Sequence, residues 1–338
     1  MLAAIDDMVS RLIPLADGSP WQADAAMSHV TADIIYRTIL SKPLSQAQAN
    51  QVHADFTAYQ HYAQRVMGLS ALRLPTWYHR ARCRSAAASI RATFADVVHQ
   101  CFSSVQAATT DGPQDMLDAL IKARDPDTGA TLTEEGLVDQ VGTLFLAGHE
   151  TSASTLAWAL YLLACQPQWQ QRLREQVLAL WPGGATPEFG DSRQLHGLYD
   201  LFRETLRLYP PIAFYVRQAR QDECLRDNPI PAGSLVAVSP WLVHRHHGFW
   251  EDPAVFNPAR FDSAAGQQSA KHAYLPFGLG PRACPGAAFA TQESILVLAL
   301  LLRSFRIETV ARHVPKPVAR LTLRSANGIV LRLYLVAN

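Results

Sequence analysis

The sequence predicts a mainly α-helical fold with small β-sheets, and three observations predict it. The stretch from Glu134 to Cys165 is largely apolar and contains no proline. Several other segments carry apolar residues at helical spacing between proline or glycine stops. Residues 212–240 and the tail from Arg320 to Val336 instead alternate apolar and polar residues, as short strands do.

Composition allows one large core. The chain has 338 residues, 49% hydrophobic and 17% charged, and residues 1–338 are read as a single domain. Thirty basic and 29 acidic residues leave a net charge of +1, so no global field draws it to nucleic acid or to a membrane surface. Cys83, Cys101, Cys165, Cys224 and Cys284 are widely spread and include no C-x-x-C pair. That pattern fits a reducing compartment, and a soluble, cytoplasmic protein is expected. The segment from Met1 to Ser19 carries Asp6, Asp7 and Arg11 without a long apolar core, so neither a signal peptide nor an anchor is read there.

In chain order, helices are expected over Leu2 to Leu15, Met27 to Leu40, 45–66 and 83–106, followed by a tight turn at Asp125-Pro126-Asp127-Thr128-Gly129. Thr131 with Glu134 three residues later fits a capping box that opens the long helix. At 1.5 Å per residue that helix spans roughly 48 Å. A membrane span is the competing reading, countered by Asp139, Gln140, His149 and Glu150 within it. Helices from Trp169 to Trp181 and from about Leu198 to Tyr209 end at Pro210-Pro211. Short antiparallel strands follow over 212–240, then an extended ordered loop over 241–283, a helix from Gly286 to Arg303, and a hairpin in the tail.

The segment from Phe277 to Gly286 reads Phe-Gly-Leu-Gly-Pro-Arg-Ala-Cys-Pro-Gly and leads into a strongly apolar helix. Cys284 is thereby set at a helix start, where free N–H groups and the positive dipole end suit a charged sulfur, the form that binds iron. Gly278, Gly280 and Gly286 permit a tight turn and the approach of a flat ring. Arg282 can meet a carboxylate, and Phe277 can pack beside the sulfur. On these residues alone, Cys284 can also be a small buried hydrophobe, or a nucleophile served by a remote histidine as in a thiol hydrolase. Zinc is disfavoured because no second Cys or His stands at ligand spacing.

Three further clusters carry chemistry. Ala147-Gly148-His149-Glu150-Thr151 puts an acid and an alcohol beside small residues in the long helix, where a hydroxyl can bond back to the preceding turn, loosen it and open a groove. A solvent-facing polar turn explains it equally well, but H-E-x-x-H zinc chemistry does not, since Ala153 stands where the second histidine is needed. Glu204 and Arg207 are helical neighbours, which on a surface would be worth only about 0.2–0.5 kcal/mol. The run His244-Arg245-His246-His247 could hold a surface metal.

Together these segments resemble the cytochrome P450 family. F-G-x-G-x-R-x-C-x-G over 277–286 is similar to its haem-binding signature, A-G-x-E-T over 147–151 to its acid–alcohol element, E-x-x-R over 204–207 to its conserved helix, and Trp250 to Phe261 to the loop supplying a second arginine. Ala259 departs from a glutamate common there, without touching Arg260. The resemblance implies a cytochrome P450 fold binding haem b (iron protoporphyrin IX), with Cys284 as the metal ligand and Phe277, Gly278 and Gly286 around it. Arg282, Arg217 and His244 would face the haem carboxylates. Ala147 and Gly148 would leave room for O2, Glu150 would relay protons, and Thr151 would steady the reacting oxygen. Glu204, Arg207 and Arg260 would form a buried structural network.

What the resemblance implies about activity is a monooxygenase that inserts one atom of O2 into an apolar small molecule. No flavin, nicotinamide or iron–sulfur motif is present. Electrons would therefore come from a separate ferredoxin, flavodoxin or flavoprotein reductase, docking near Cys284 where Arg282 and Lys271 are positive. The alternative is a haem-binding or noncatalytic protein of the same fold without turnover. Residues 1–40 resemble helices that come well into the family fold, so the chain is read as lacking the family's N-terminal helices and strands. A misassigned start, a fragment and a naturally shortened protein all fit that reading.

Overall fold

The computed structural model describes residues 1–41, 46–107, 115–188 and 190–336. They form two compact units, one of Met1–Pro14 with Asp24–Ala153, the other of Leu15–Ala23 with Ser154–Asn338.

The first unit is helical: α1 (Leu2–Leu12), α2 (Ala23–Leu40), α3 (Gln46–Ala71), α4 (Trp77–Ala107), α5 (Met116–Lys122) and the larger part of α6 (Glu134–Cys165). Ile5, Met8 and Leu12 line the buried face of α1 at i, i+3 and i+7, the spacing that makes a helix amphipathic. Arg37 on α2 binds both oxygens of Asp33 one turn away and reaches Asp7 at 2.6 Å. Phe145 packs against Tyr36 and Phe94, with ring centroids 6.4 and 5.1 Å away. Helix α6 matches the bounds expected for it, but its cap does not. Thr133, not Thr131, accepts the N–H of Gly136 at 3.1 Å, while Thr131 pairs with Arg124 in an isolated bridge. The capping-box spacing had selected the wrong threonine. Helix α4 begins six residues before the expected position, because the run Trp77 to Arg84 is helical without being apolar-periodic.

The second unit holds β1 (Asp17–Gln22), α7 (Pro167–Leu180), α8 (His196–Leu208), β2 (Tyr215–Gln218), β3 (Glu223–Leu225), β4 (Asn228–Ile230), β5 (Leu235–Val238), α9 (Pro240–Val243), α10 (Ala264–Ala273), α11 (Ala287–Ser304), β6 (Phe305–Thr309), β7 (Pro317–Ala319), β8 (Leu323–Ser325) and β9 (Val330–Leu335). Pairs β2–β5 and β3–β4 are the antiparallel strands expected over 212–240. The tail is not a hairpin: β8 pairs with β7, while β9 lies between β1 and β6 with Trp21 opposite Leu331 and Ile307 opposite Leu333. Strand β1 falls between the two helices expected at the front of the sequence; its Gly18 and Pro20 deny it any alternation, and pairing with β9 makes it a strand.

Helix α11 is the one helix among the described residues long and apolar enough to suit a bilayer, yet Glu293 to Leu302 are buried in protein, as in a core helix. The segment 241–283 is less loop-like than expected. It contains α10 and a 3-10 turn over Pro258–Asp262. Ser263 caps α10 by accepting the Gly266 N–H at 3.0 Å. A Cβ on Gly266 would sit 1.8 Å from the Arg260 carbonyl oxygen, so only glycine allows the helix to start there.

Candidate active site

In the second unit the amphipathic helix α8 delivers Glu204 and Arg207 one turn before Pro210, both with no solvent exposure. Arg207 grips the carboxylate with two parallel bonds, Nε to Oε2 and Nη2 to Oε1, each 2.8 Å. Arg260, brought by the 3-10 turn, adds Nε bonds of 3.0 and 3.1 Å to the same two oxygens, and the Asn257 N–H donates to Oε1 at 2.9 Å. Two guanidiniums on one carboxylate leave an uncompensated positive charge. Backbone carbonyls absorb it: His244, Pro253 and Val255 accept from Arg207, and Glu251, Asp252 and Val255 from Arg260. Charged donors to carbonyls are among the stronger hydrogen bonds, so the network fixes the path of 244–260. Beneath it, Trp250, Phe261 and Ala273 form an apolar cluster with Tyr274.

His244 departs from expectation. The family resemblance implies a place at a haem carboxylate, but its side chain is fully buried, stacked on Tyr274 with centroids 5.4 Å apart. Its Nε2 accepts the Leu275 N–H at 2.7 Å. Burial, reinforced by the charge of Arg207, pushes its pKa down to about 4, so the ring is neutral and Nε2 keeps the lone pair this bond requires. Leu275 opens the cysteine loop; its carbonyl accepts from Gly278 at 3.2 Å, and the Phe277 carbonyl accepts from Cys284 at 2.8 Å. A continuous set of bonds thus runs from Arg207 through His244 to the backbone of the cysteine. The signal lies in the histidine's place between the second arginine's loop and the helix of Glu204 and Arg207, where a buried neutral ring is a tie rather than a ligand.

The loop itself turns outward. Gly278 and Gly280 have φ of +70° and +69°, and Gly280–Arg282 form a single 3-10 turn. Leu279 to Pro285 are exposed, and Cys284 is an unpaired, exposed thiol. It stands not in the first turn of α11 but two residues before its cap, Gly286. A Cβ on Gly286 would meet nothing but the Cys284 sulfur, at 3.8 Å, and one on Gly280 would meet nothing within 4 Å. The ring of Phe277 lies 6.4 Å from that of Phe202, turned to the interior. Arg282 ends the 3-10 turn and is exposed. Arg217 lies apart from the loop on β2, over the ring of Tyr215 and bonded to the Val216 carbonyl.

In the first unit the acid–alcohol element sits in uninterrupted helix; the expected local loosening is absent, although Thr151 does donate back to the Ala147 carbonyl at 2.8 Å. Glu150 is buried, 2% exposed, and accepts from Gln60 Nε2 on α3 at 3.0 Å. Gln60 is a site residue that the sequence did not reveal, since nothing local marks it. The ring of His149 lies 4.9 Å from Phe145 and its Nδ1 is 3.0 Å from the Phe145 carbonyl. Gly148 has a packing role: a Cβ there would press on Ile35 at 3.2 Å. Ala147 is exposed on the same helix.

These residues fit a haem. Among the described residues no group of three or more His, Cys, Asp or Glu could hold a bare metal ion. A lone exposed sulfur on a loop opened by Gly278, Gly280 and Gly286 suits a metal that brings its other donors in a flat ring.

Comparison with known proteins agrees. The family model described as cytochrome P450 matches residues 1–332. Human cytochrome P450 4F8 is 36% identical over 232 residues, 68% of this chain and 44% of its own length. The 11-oxo-beta-amyrin 30-oxidase of Glycyrrhiza uralensis is 31% identical over 323 residues, 91% of this chain and 60% of its own. The chain therefore spans between two fifths and three fifths of the length of these curated relatives. The crystal structure of a cytochrome P450 named CYP102L1 superposes with a TM-score of 0.87 at 28% identity, covering 99% of this chain and 76% of that one. The cytochrome P450DA heme domain superposes with a TM-score of 0.85 at 25% identity, with 99% and 73% covered.

Proposed function

The chain belongs to the cytochrome P450 family, and on that premise we propose that it is a haem-thiolate monooxygenase that inserts one atom of O2 into an apolar small molecule. The observation that carries this reading is the exposed Cys284 on an open loop tied to the buried Glu204–Arg207–Arg260 network. The haem, when bound, supplies the oxygen-activating chemistry, and a thiolate ligand donates the electron density that favours O–O cleavage.

This chain's residues do the rest. Cys284 would hold the iron, and the network with His244 keeps the loop in position. Arg282 and Arg217 offer guanidiniums to the haem carboxylates, supported by their exposure. The haem would be of the b type; no C-x-x-C-H run, the attachment motif of a c-type haem, is present. Glu150 and Thr151 hold and move the proton, with Gln60 orienting the carboxylate from α3. A relative named for the 30-oxidation of 11-oxo-beta-amyrin supports an oxidative reaction. Electrons reach the site from a separate redox protein that meets the exposed charge of Arg282 and Lys271.

The test is optical. After reconstitution with haem, reduction and carbon monoxide, the protein shows the red-shifted Soret band of thiolate ligation. A Cys284→Ser variant with an unchanged band would end the proposal, and a normal band without substrate turnover under any redox partner would leave a haem-binding protein without catalysis.

A further inference from the structure

Beside the Glu204 network, α7, α8 and the 3-10 turn over Pro258–Asp262 enclose a pocket of about 140 Å³. The network fixes its walls: Asp200 stands one turn before Glu204 on α8, and Asp262 two residues after Arg260. At its base a Cβ on Gly197 would collide with the Gln176 amide and come within 2.7 Å of Leu173, so α7 and α8 approach closely there. Both signs of charge line the space. Asp200 pairs with Arg203 at 3.4 Å, yet that guanidinium is also committed to the ring of Phe261, 3.8 Å from its centroid. No ion pair among the described residues includes Asp262 or Arg172. Arg172 lies instead over the ring of Trp169, 5.2 Å from its centroid. Burial pushes the Asp200 carboxyl above its ordinary value, Arg203 opposes the rise, and the like charge of Asp262 adds to it. The Gln176 Oε1 is buried without a donor among the described residues. Three acceptors in want of a donor and a guanidinium in want of an anion thus face one space without reaching each other.

We propose that this pocket binds a small α-amino acid as its zwitterion, with the ammonium donating to Asp200, Asp262 and Gln176 and the carboxylate held by Arg172. Only a ligand that carries both charges answers both walls. An organic cation would meet Arg172 as a like charge, and an anion would leave the two aspartates unanswered. A bare metal ion is not served, since no group of three or more His, Cys, Asp or Glu among the described residues could hold one. Guanidinium suits a carboxylate because it offers two parallel N–H bonds. A cavity of this size holds a ligand of about six heavy atoms, the size of alanine. The ring of Trp169, with Pro258 and Ala259, supplies an apolar wall for a methyl side chain. Asp200 and Asp262 sit on the two elements that carry Glu204 and Arg260, so an occupant ties these elements together and stabilises the fold by mass action. The inference does not depend on haem or on the proposed reaction.

Calorimetric titration of the full chain with L-alanine, with propylamine and propionate as single-charge probes, tests it. Alanine is expected to bind saturably at one site and to raise the urea midpoint of the protein. Each probe should bind at least about tenfold more weakly, because it lacks one of the two charged sets of bonds. Asp262→Asn and Arg172→Gln, both at exposed positions, should each weaken alanine binding roughly tenfold while circular dichroism stays that of the parent. The proposal falls if alanine gives neither saturable heat nor a raised urea midpoint, or if neither substitution weakens its binding. It falls if propylamine or propionate binds as tightly as alanine, which would identify a site for a single charge. It falls too if Arg172→Gln strengthens alanine binding, the mark of a guanidinium that closes onto Asp262 and fills the pocket itself.

Discussion

The Glu204 network and the Cys284 loop lie in the same unit and are joined by hydrogen bonds, yet they are built on opposite terms. In the network, two arginines and one glutamate have 0–9% exposure and their charges are answered by carbonyls on every side. In the loop, Leu279 to Pro285 are exposed, and Gly280 has open space where a side chain would be. One region concentrates stabilising interactions and leaves no access; the other gives access and contributes little packing. The lesson is that a reactive sulfur can be held in a sparse loop when the order is imposed from a dense neighbour.

Changes at four positions would break or sharpen that contrast. Glu204→Gln leaves two buried guanidiniums without their anion and should destabilise the protein by about 3–5 kcal/mol, read by urea denaturation, with haem retention falling in step. Gly266→Ala forces a methyl group against the Arg260 carbonyl and should cost about 1–3 kcal/mol, with the loss absent from a Gly129→Ala control that meets no neighbour, once the strain of its own positive φ is subtracted. His244→Phe removes the acceptor of the Leu275 N–H and should cost about 1–3 kcal/mol at neutral pH, with a shifted haem spectrum from the loosened loop.

The same histidine predicts a pH dependence. Its folded pKa is about 4 and its ordinary value 6.5, so as pH falls through that window the unfolded chain takes up a proton that the folded chain refuses. Stability is complete above about 6.5 and declines towards 4, and His244→Phe should flatten that part of the pH–stability curve. Smallest in stability is Cys284→Ser: the side chain is exposed, so the change should stay within about 0.5 kcal/mol in the haem-free protein while abolishing thiolate ligation. A large loss of apoprotein stability from Cys284→Ser would erase the distinction between the two regions.

What the sequence made legible follows the range of the forces involved. The cysteine loop is contiguous, and Glu204 with Arg207 shares one helical turn, so both can be read locally. Arg260 could be joined to Glu204 only through resemblance to a family, because nothing in the intervening residues encodes their meeting. Gln60, Gly266 and the true role of His244 escaped for the same reason: each is defined by what another element brings to it. Strand β1 was not foreseen and the tail was misread because pairing partners, rather than alternation, decide short strands. Thr133 displaced Thr131 as the cap because a spacing rule cannot tell which of two threonines two residues apart lies at the true helix start.

The pairing of Asp17–Gln22 with Val330–Leu335 has a bearing on how the molecule is made. A ribosome delivers the first of these strands long before the second, and the whole of Asp24–Ala153 emerges in between. The early strand spends that interval as a bare edge, open to any passing strand, until Val330–Leu335 is made and pairs with it. A chain released before Val330 is made carries an unmated strand, the kind of open edge that invites pairing with another molecule.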